Sequence, residues 1–295
     1  MSAASEVSEP GGIVETPSGK GAKDENFPVG SMLLPARLRP HVAIFYAYAR
    51  AIDDIADDPD LPNDDKIERL GDFAKALEGQ PGFGPEFAKA HALRASLEEM
   101  KISTVHGTDL ILAFVQDCKK FRYETWDELL GYCALSANPV GRYLLDLHEE
   151  AKESYRYSDA LCTVLQIINH LQDCQDDKQT LDRIYIIESW LREQGGELDA
   201  IDADASSAAL RQVMDRMLDG CDDLMVDARQ LPSMLKSRHL AMESAVIVRL
   251  ADRLIQRLRK NDPVAERIDL SKLDFVSAGI RGAVVGFFSA GKGLS

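Results

Sequence analysis

Basic charge is scarce in this 295-residue chain: 34 Lys and Arg face 49 Asp and Glu, for a formal net charge of −15. That balance argues against nucleic acid or an anionic membrane as the main electrostatic partner. It suits a protein that recruits divalent cations to an anionic substrate. The five cysteines, at 118, 133, 162, 174 and 221, form no C-x-x-C pair and read as reduced residues of a cytosolic protein. No apolar run reaches the roughly 20 residues of a membrane span. The nearest approach, Phe275–Ala290, is interrupted by Arg281 and reads as a terminal core helix, with contact to a membrane surface as the alternative. There is no G-x-G-x-x-G, which excludes a built-in nicotinamide site of that kind, and the terminal AGKGLS lacks the strand–loop–helix setting of a phosphate loop. The absence of E-x-x-H pairs argues against a di-iron carboxylate bundle. The six histidines show no metal-ligand spacing. Residues 1–22, rich in Ser, Gly, Pro and Glu, have neither a basic start nor an apolar run, and read as a disordered tail ahead of one domain over 23–295.

Carboxylates in a particular setting are abundant instead. In FYAYARAIDDIAD, Phe45–Asp57, helical geometry at about 100° per residue puts Tyr46, Arg50, Asp53 and Asp57 in one stripe of roughly 60°. The rest of that circumference is apolar, so the helix is expected to be buried. A buried line of carboxylates must face positive charge, because an unpaired charge inside a protein is costly. A second such edge lies in LCTVLQIINHLQDCQDD, Leu161–Asp177. There Val164, Leu165, Ile168 and Leu171 make the packing face, and Gln166, Asn169, Asp173 and Asp177 share the adjacent stripe. His170 points away from that stripe on the same wheel. Four aspartates and an amide oxygen are hard donors suited to Mg²⁺, which binds few carboxylates and keeps positions for water and phosphate. Arg50, one turn before Asp53, and Arg183 with Tyr185, just past the second edge, are placed to hold a diphosphate. Phe27, Tyr132 and Leu165 would give apolar and aromatic walls suited to a long hydrocarbon and a carbocation.

A third acidic series, Asp219, Asp223 and Asp227, lies opposite a Leu/Met stripe and reads as a solvated face. The remaining patterns are helical. Proline in Asn138-Pro139 should kink the Trp126–Glu150 helix, either opening room for a ligand or merely punctuating a loop. With no alternating strand runs and no internal repeat, the chain is expected to be a single all-α domain.

The motifs RAIDDIAD (Arg50–Asp57) and NHLQDCQDD (Asn169–Asp177, followed by DRIYI), with YCALSANPVG (Tyr132–Gly141) between them, resemble those of the squalene/phytoene synthase family. The resemblance implies an isoprenoid-synthase helical bundle around a central cavity. It also implies Mg²⁺ at Asp53, Asp57, Asn169, Asp173 and Asp177, diphosphate at Arg50 and Arg183, and pocket roles for Tyr46, Tyr132 and Gln166. ENFPVGS (Glu25–Ser31), the RPHVAIFYAYARAIDDIAD run, and NHLQD with Gln172 are most similar to the bacterial hydroxysqualene synthase branch. That branch ionises presqualene diphosphate, quenches the rearranged cation with water and serves squalene and hopanoid synthesis. The departures are Gln172 where many members carry arginine, Lys23–Asn26 in place of a His-Ser start, Ile187 in place of a proline, and SANP in place of VAG. They lower the expectation of the alternative, head-to-head condensation of two farnesyl diphosphates, while leaving metal-assisted ionisation intact. The partners implied are a prenyl diphosphate and no nucleic acid. The expected location is cytoplasmic, with peripheral membrane contact and association with other enzymes of the pathway left open. A non-catalytic relative of the family would be expected to have lost the carboxylates, and all of them are present.

Overall fold

The computed structural model describes residues 33–294; the 1–22 tail and Phe27 lie outside the described residues. Helix α1 (Arg39–Asp57) begins with Pro40 in its first turn and stops where Asp58, extended at φ −61°, ψ 112°, precedes Pro59. Its Val42, Phe45, Tyr48, Ala51, Ile52 and Ile55 are buried, and each large side chain of this kind contributes about 1.5–3 kcal/mol. The Tyr48 hydroxyl is satisfied by donating to the Gly107 carbonyl at 3.2 Å. Around α1 pack α2 (Asn63–Glu78), α3 (Ala88–Met100) and α4 (Val105–Asp117).

The second half is built on α7 (Tyr155–Gln172). It packs against α5 (Trp126–Ser136), α6 (Asn138–Leu147), α10 (Ala208–Ala228) and α12 (Arg238–Leu258). Val164, Ile167 and Ile168 of α7 are fully buried. The approach of α6 to α7 depends on Gly141, where a Cβ would lie 2.3 Å from Ser158 Oγ. One hydrophobic core runs through both halves, from Leu34 to Ile268. The fold is therefore the all-α bundle expected from the sequence. No helix among the described residues is long and apolar enough to cross a membrane.

The structure differs from the sequence expectations in four places. The interruption expected at Asn138-Pro139 is a full break rather than a kink: the Trp126–Glu150 segment is two helices parted at Ala137 (φ −120°, ψ −45°), and Asn138 is buried, accepting from the Thr163 hydroxyl at 3.1 Å. The Leu161–Asp177 helix is also interrupted, at Asp173, so that α8 (Cys174–Leu181) is a separate piece. The Asp177 amide still donates to the Asp173 carbonyl at 2.8 Å, which preserves the one-turn relation of the two aspartates. Two short strands, β1 (Arg122–Tyr123) and β2 (Ile184–Ile187), pair in parallel; they are too short for a period-2 pattern to register. Short α9 (Glu188–Glu193) and α11 (Leu231–Met234) complete the middle of the chain.

The fourth difference concerns α13 (Lys272–Ser289), which is not a core helix. It starts at a capping box formed by Ser271 and Asp274 and lies along α12, burying only Ala278, Gly282 and Gly286. Its large apolar residues point away from the bundle, because the small residues one turn apart make the contact face.

Candidate active site

The first acidic edge sits on the last turns of α1. Arg50 forms an ion pair with Asp53 and reaches the buried Asp54 at 3.1 Å, so this arginine is held by its own helix one turn on. Asp57 is held from elsewhere. Arg183, at the head of β2 and only 7% exposed, donates from Nη1 to Asp57 at 2.6 Å and from Nη2 to the Ala56 carbonyl at 3.2 Å. The Arg183 amide donates to the Asp177 carbonyl at 3.2 Å. One residue thus ties the end of the first edge to the end of the second. Its position is set by Asp182 in the left-handed region (φ 52°), anchored by Arg122, and by the pairing of β2 with β1.

On the second edge, Asn169 donates to Asp173 at 3.1 Å and Gln166 approaches His170 Nε2 at 3.1 Å, both one helical turn apart. Asp173 is ion-paired with Arg267, from the segment after α12. Burial raises the pKa of Asp173; Arg267 opposes that rise, and the charges of Asp177 and Asp176 add to it. A carboxylate pushed toward protonation by its acidic neighbours is a place where added positive charge is welcome.

Behind the two edges lies a polar cluster with aromatic walls. Asp117, at the end of α4, is buried and accepts from the hydroxyls of Tyr132 at 2.9 Å and Tyr185 at 3.3 Å. Burial raises the pKa of Asp117 to about 7, against the pull of Arg183 and the two tyrosine hydrogen bonds and with a push from Asp57. Burial also holds both tyrosines well above their ordinary value. His170 stacks on Tyr185 with ring centroids 3.5 Å apart, and its Nδ1 lies 3.7 Å from Asp177. Lys66 of α2 is close enough to offset, with Arg183, part of the rise that burial causes in the neighbouring Cys118 thiol. Burial alone would lower Arg183, but Asp57 and Asp117 outweigh it and raise its pKa.

Of the residues expected at the site, the structure brings together Asp57, Asp177, Arg183, Tyr185 and Tyr132. Asp53 with Arg50, and Asp173 with Asn169, form local pairs on their own edges. Gln166 is half-buried beside His170, while Leu165 packs on the main core and Tyr46 is half-buried on α1. The sequence reading missed Asp117, Lys66 and Arg267, and it placed His170 away from its stripe. Asp117 carried one signal: it is an acid on the inner end of an amphipathic helix otherwise closed by apolar residues. Lys66 and Arg267 carried none, since each belongs to a segment distant in sequence.

Whether the donors fit a hard divalent cation is decided by their chemistry and access. Asp53, Asp57, Asp173 and Asp177 are oxygen donors whose side chains keep 27%, 32%, 18% and 20% of their surface open. Among the described residues, no group of three or more carboxylate, imidazole or thiol side chains converges tightly enough to hold a metal by itself. Arginines occupy three of the carboxylates in this arrangement. Arg183 Nε is buried without a hydrogen-bond partner, an unsatisfied donor between the ends of the two acidic edges.

Residues 21–274 match the family profile described as squalene/phytoene synthase. The hydroxysqualene synthase of Rhodopseudomonas palustris is 40% identical over 264 residues, which cover 90% of this chain and 89% of that one. The hydroxysqualene synthase of Zymomonas mobilis is 37% identical over 274 residues, covering 92% and 91%. Among solved structures, squalene synthase HpnC from Alicyclobacillus acidocaldarius aligns with a TM-score of 0.69 at 29% identity, covering 79% of this chain and 87% of that one. A dehydrosqualene synthase in complex with ligand aligns with a TM-score of 0.74 at 19% identity, covering 88% and 91%, a likeness of fold alone.

Proposed function

The chain belongs to the squalene/phytoene synthase family, and from that premise we propose that it converts presqualene diphosphate and water into hydroxysqualene and diphosphate. The observation that carries the reading is the bridge made by Arg183, which joins the Asp57 carboxylate to the Asp177 backbone and leaves Nε buried without a hydrogen-bond partner. Such a donor between two acidic edges suits the departing oxygen of a diphosphate. Arg50, Arg267 and Lys66 add positive charge around it. Part of the charge that stabilises the leaving diphosphate would come from Mg²⁺ held by Asp53, Asp57, Asn169, Asp173 and Asp177.

The chain's own side chains do the rest. As the C–O bond breaks with its electron pair on the diphosphate, the aromatic cluster of Tyr132, Tyr185 and His170 is proposed to stabilise the carbocation. Asp117 fixes the direction of both tyrosine hydroxyls, and the rings are proposed to meet the hydrocarbon. Water adds to the rearranged cation and must lose a proton. His170 Nδ1, buried without a hydrogen-bond partner, is proposed to take it. Tyr46, Gln166, Leu165 and Phe27 are proposed as pocket walls. The role so assigned is in squalene and hopanoid synthesis, in the cytoplasm, with contact at a membrane surface where the oily product leaves.

Incubation of the purified chain with presqualene diphosphate and Mg²⁺ in ¹⁸O-labelled water, without reductant, tests this. Labelled hydroxysqualene is the expected product; hydrocarbon alone, or turnover only of farnesyl diphosphate, would redirect the assignment to the condensation reaction.

A further inference from the structure

Helix α13 turns its large side chains outward. Leu273, Val276, Ile280, Val284 and Phe287 recur at three- and four-residue spacing and make one stripe, with Leu273 80% and Ile280 65% exposed. This orientation is fixed by the opposite face. A Cβ at Gly286 would lie 2.4 Å from the Ala241 carbonyl oxygen, and one at Gly282 would lie 2.7 Å from Val246 Cα. The helix therefore cannot roll to bury its large residues without losing backbone contact with α12. A row of exposed aliphatic and aromatic groups this long is too costly to leave facing water unless something covers it.

The charge around the stripe indicates what covers it. Residues 238–294 carry ten Lys and Arg against six Asp and Glu, in a chain whose total is −15; Arg259 and Arg267 are engaged by Asp219, Asp222 and Asp173 elsewhere, while Arg249 and Arg281 lie beside the stripe. Between α12 and α13 lies a cavity of about 400 Å³ lined by Arg249, Arg253, Arg281, Asp252 and Asp274 among others. Both acids are already engaged: Asp274 by Arg253 and Arg257, and Asp252 by Arg229 at 2.6 Å. Arg249 and Arg281 make no ion pair or hydrogen bond among the described residues, so the cavity has unmatched positive charge. Arg281 also flanks the apolar stripe on its helix, and Arg238 lies over the Phe287 ring at 4.9 Å. An apolar stripe edged by unpaired arginines is the pattern of a helix that lies in the plane of a lipid surface. A second copy meeting the same face would bring these arginines against their own counterparts.

We propose that α13 lies in the surface of an anionic bilayer, with the Leu273–Phe287 stripe among the acyl chains and a lipid phosphate held by Arg249 and Arg281 in the α12–α13 cavity. The proposal refines the membrane contact suggested above and does not depend on the chemistry of the acidic edges. The overall negative charge of the chain does not describe this edge of the fold, where Arg249 and Arg281 line the cavity beside acids already engaged by other arginines.

Co-sedimentation of the full chain with vesicles tests it. Binding is expected to vesicles of phosphatidylcholine mixed with phosphatidylglycerol, and to be much weaker with phosphatidylcholine alone. At about 1 kcal/mol per basic residue near an anionic surface, Arg249→Gln and Arg281→Gln should each weaken binding about fivefold. Ile280→Asp with Val284→Asp should abolish it. Both side chains are exposed, so the circular dichroism and the diphosphate release from detergent-dispersed substrate should match the parent chain. Equal binding to both vesicle types, or none to either, overturns the proposal. So does light scattering that shows a dimer broken by Ile280→Asp without vesicle binding, or binding of inorganic phosphate at Arg249 and Arg281 with no lipid association. Vesicle binding by a chain that fails to release diphosphate would sink the proposed reaction and leave this inference standing.

Discussion

The edges formed by Asp53/Asp57 and Asp173/Asp177 and the series Asp219/Asp223/Asp227 have the same spacing in sequence and opposite circumstances in the fold. The α10 series pairs with surface arginines: Asp219 with Arg259 at 2.7 Å and Asp227 with Arg156 at 2.9 Å, where water competes for every contact. On the α1 edge the partner of Asp57 is an almost fully buried guanidinium that also carries an unsatisfied N–H. Identical residues at identical spacing thus give a solvated helix face in one region and a candidate catalytic floor in the other. The difference lies in what packs around them.

The largest expected effect is on turnover. Asp53→Ala or Asp173→Ala should lower diphosphate release by about 10²–10³-fold or more, because each removes stabilisation that acts on the leaving group; Asp223→Ala should leave it unchanged. A phosphate-release assay beside a thermal melt reads both, and equal losses from the two regions would erase the distinction drawn here. Next in size, Arg183→Met should destabilise the fold by about 3 kcal/mol, the low end for breaking a buried pair, since Asp57 keeps some access to water. The midpoint of urea unfolding measures it.

The effect of pH at Asp117 comes third. Its folded pKa of about 7 lies above the ordinary 3.8, so the folded chain holds a proton that the unfolded chain has lost. The stabilising contribution is complete below about pH 4 and is lost as the pH rises through 7, with a slope of at most ~1.4 kcal/mol per pH unit. Arg183, Asp57, Tyr132 and Tyr185 are the groups that face it. Asp117→Asn should remove that slope from a series of unfolding curves, whereas Asp223→Asn should leave the series as it is. The smallest effect belongs to the α10 face: Arg259→Ala should cost under about 1 kcal/mol by chemical denaturation despite breaking two ion pairs.

Periodicity sufficed for much of this. The burial of α1 around its one acidic stripe, the packing face of α7, and the solvated side of α10 are all visible because helical geometry sorts residues by direction before any tertiary contact forms. The break at Asp173 was not visible, since no proline or glycine marks it. Helix α13 was misread as core because its apolar content gives no warning that Ala278, Gly282 and Gly286 would take the inner face. His170 points away from its neighbours on a wheel drawn for an isolated helix, and only the approach of β2 brings Tyr185 onto it.

The sequence by itself determined the class of fold, the two acidic helix edges and the family to which the chain belongs, because all three are written in local spacing. Only the tertiary structure decided which positive groups meet those acids. Arg183 and Arg267 come from two separate segments, one at the head of β2 and one after α12. Electrostatic pairing depends on distance through space and on the exclusion of water, and neither quantity is defined along a chain until it has folded.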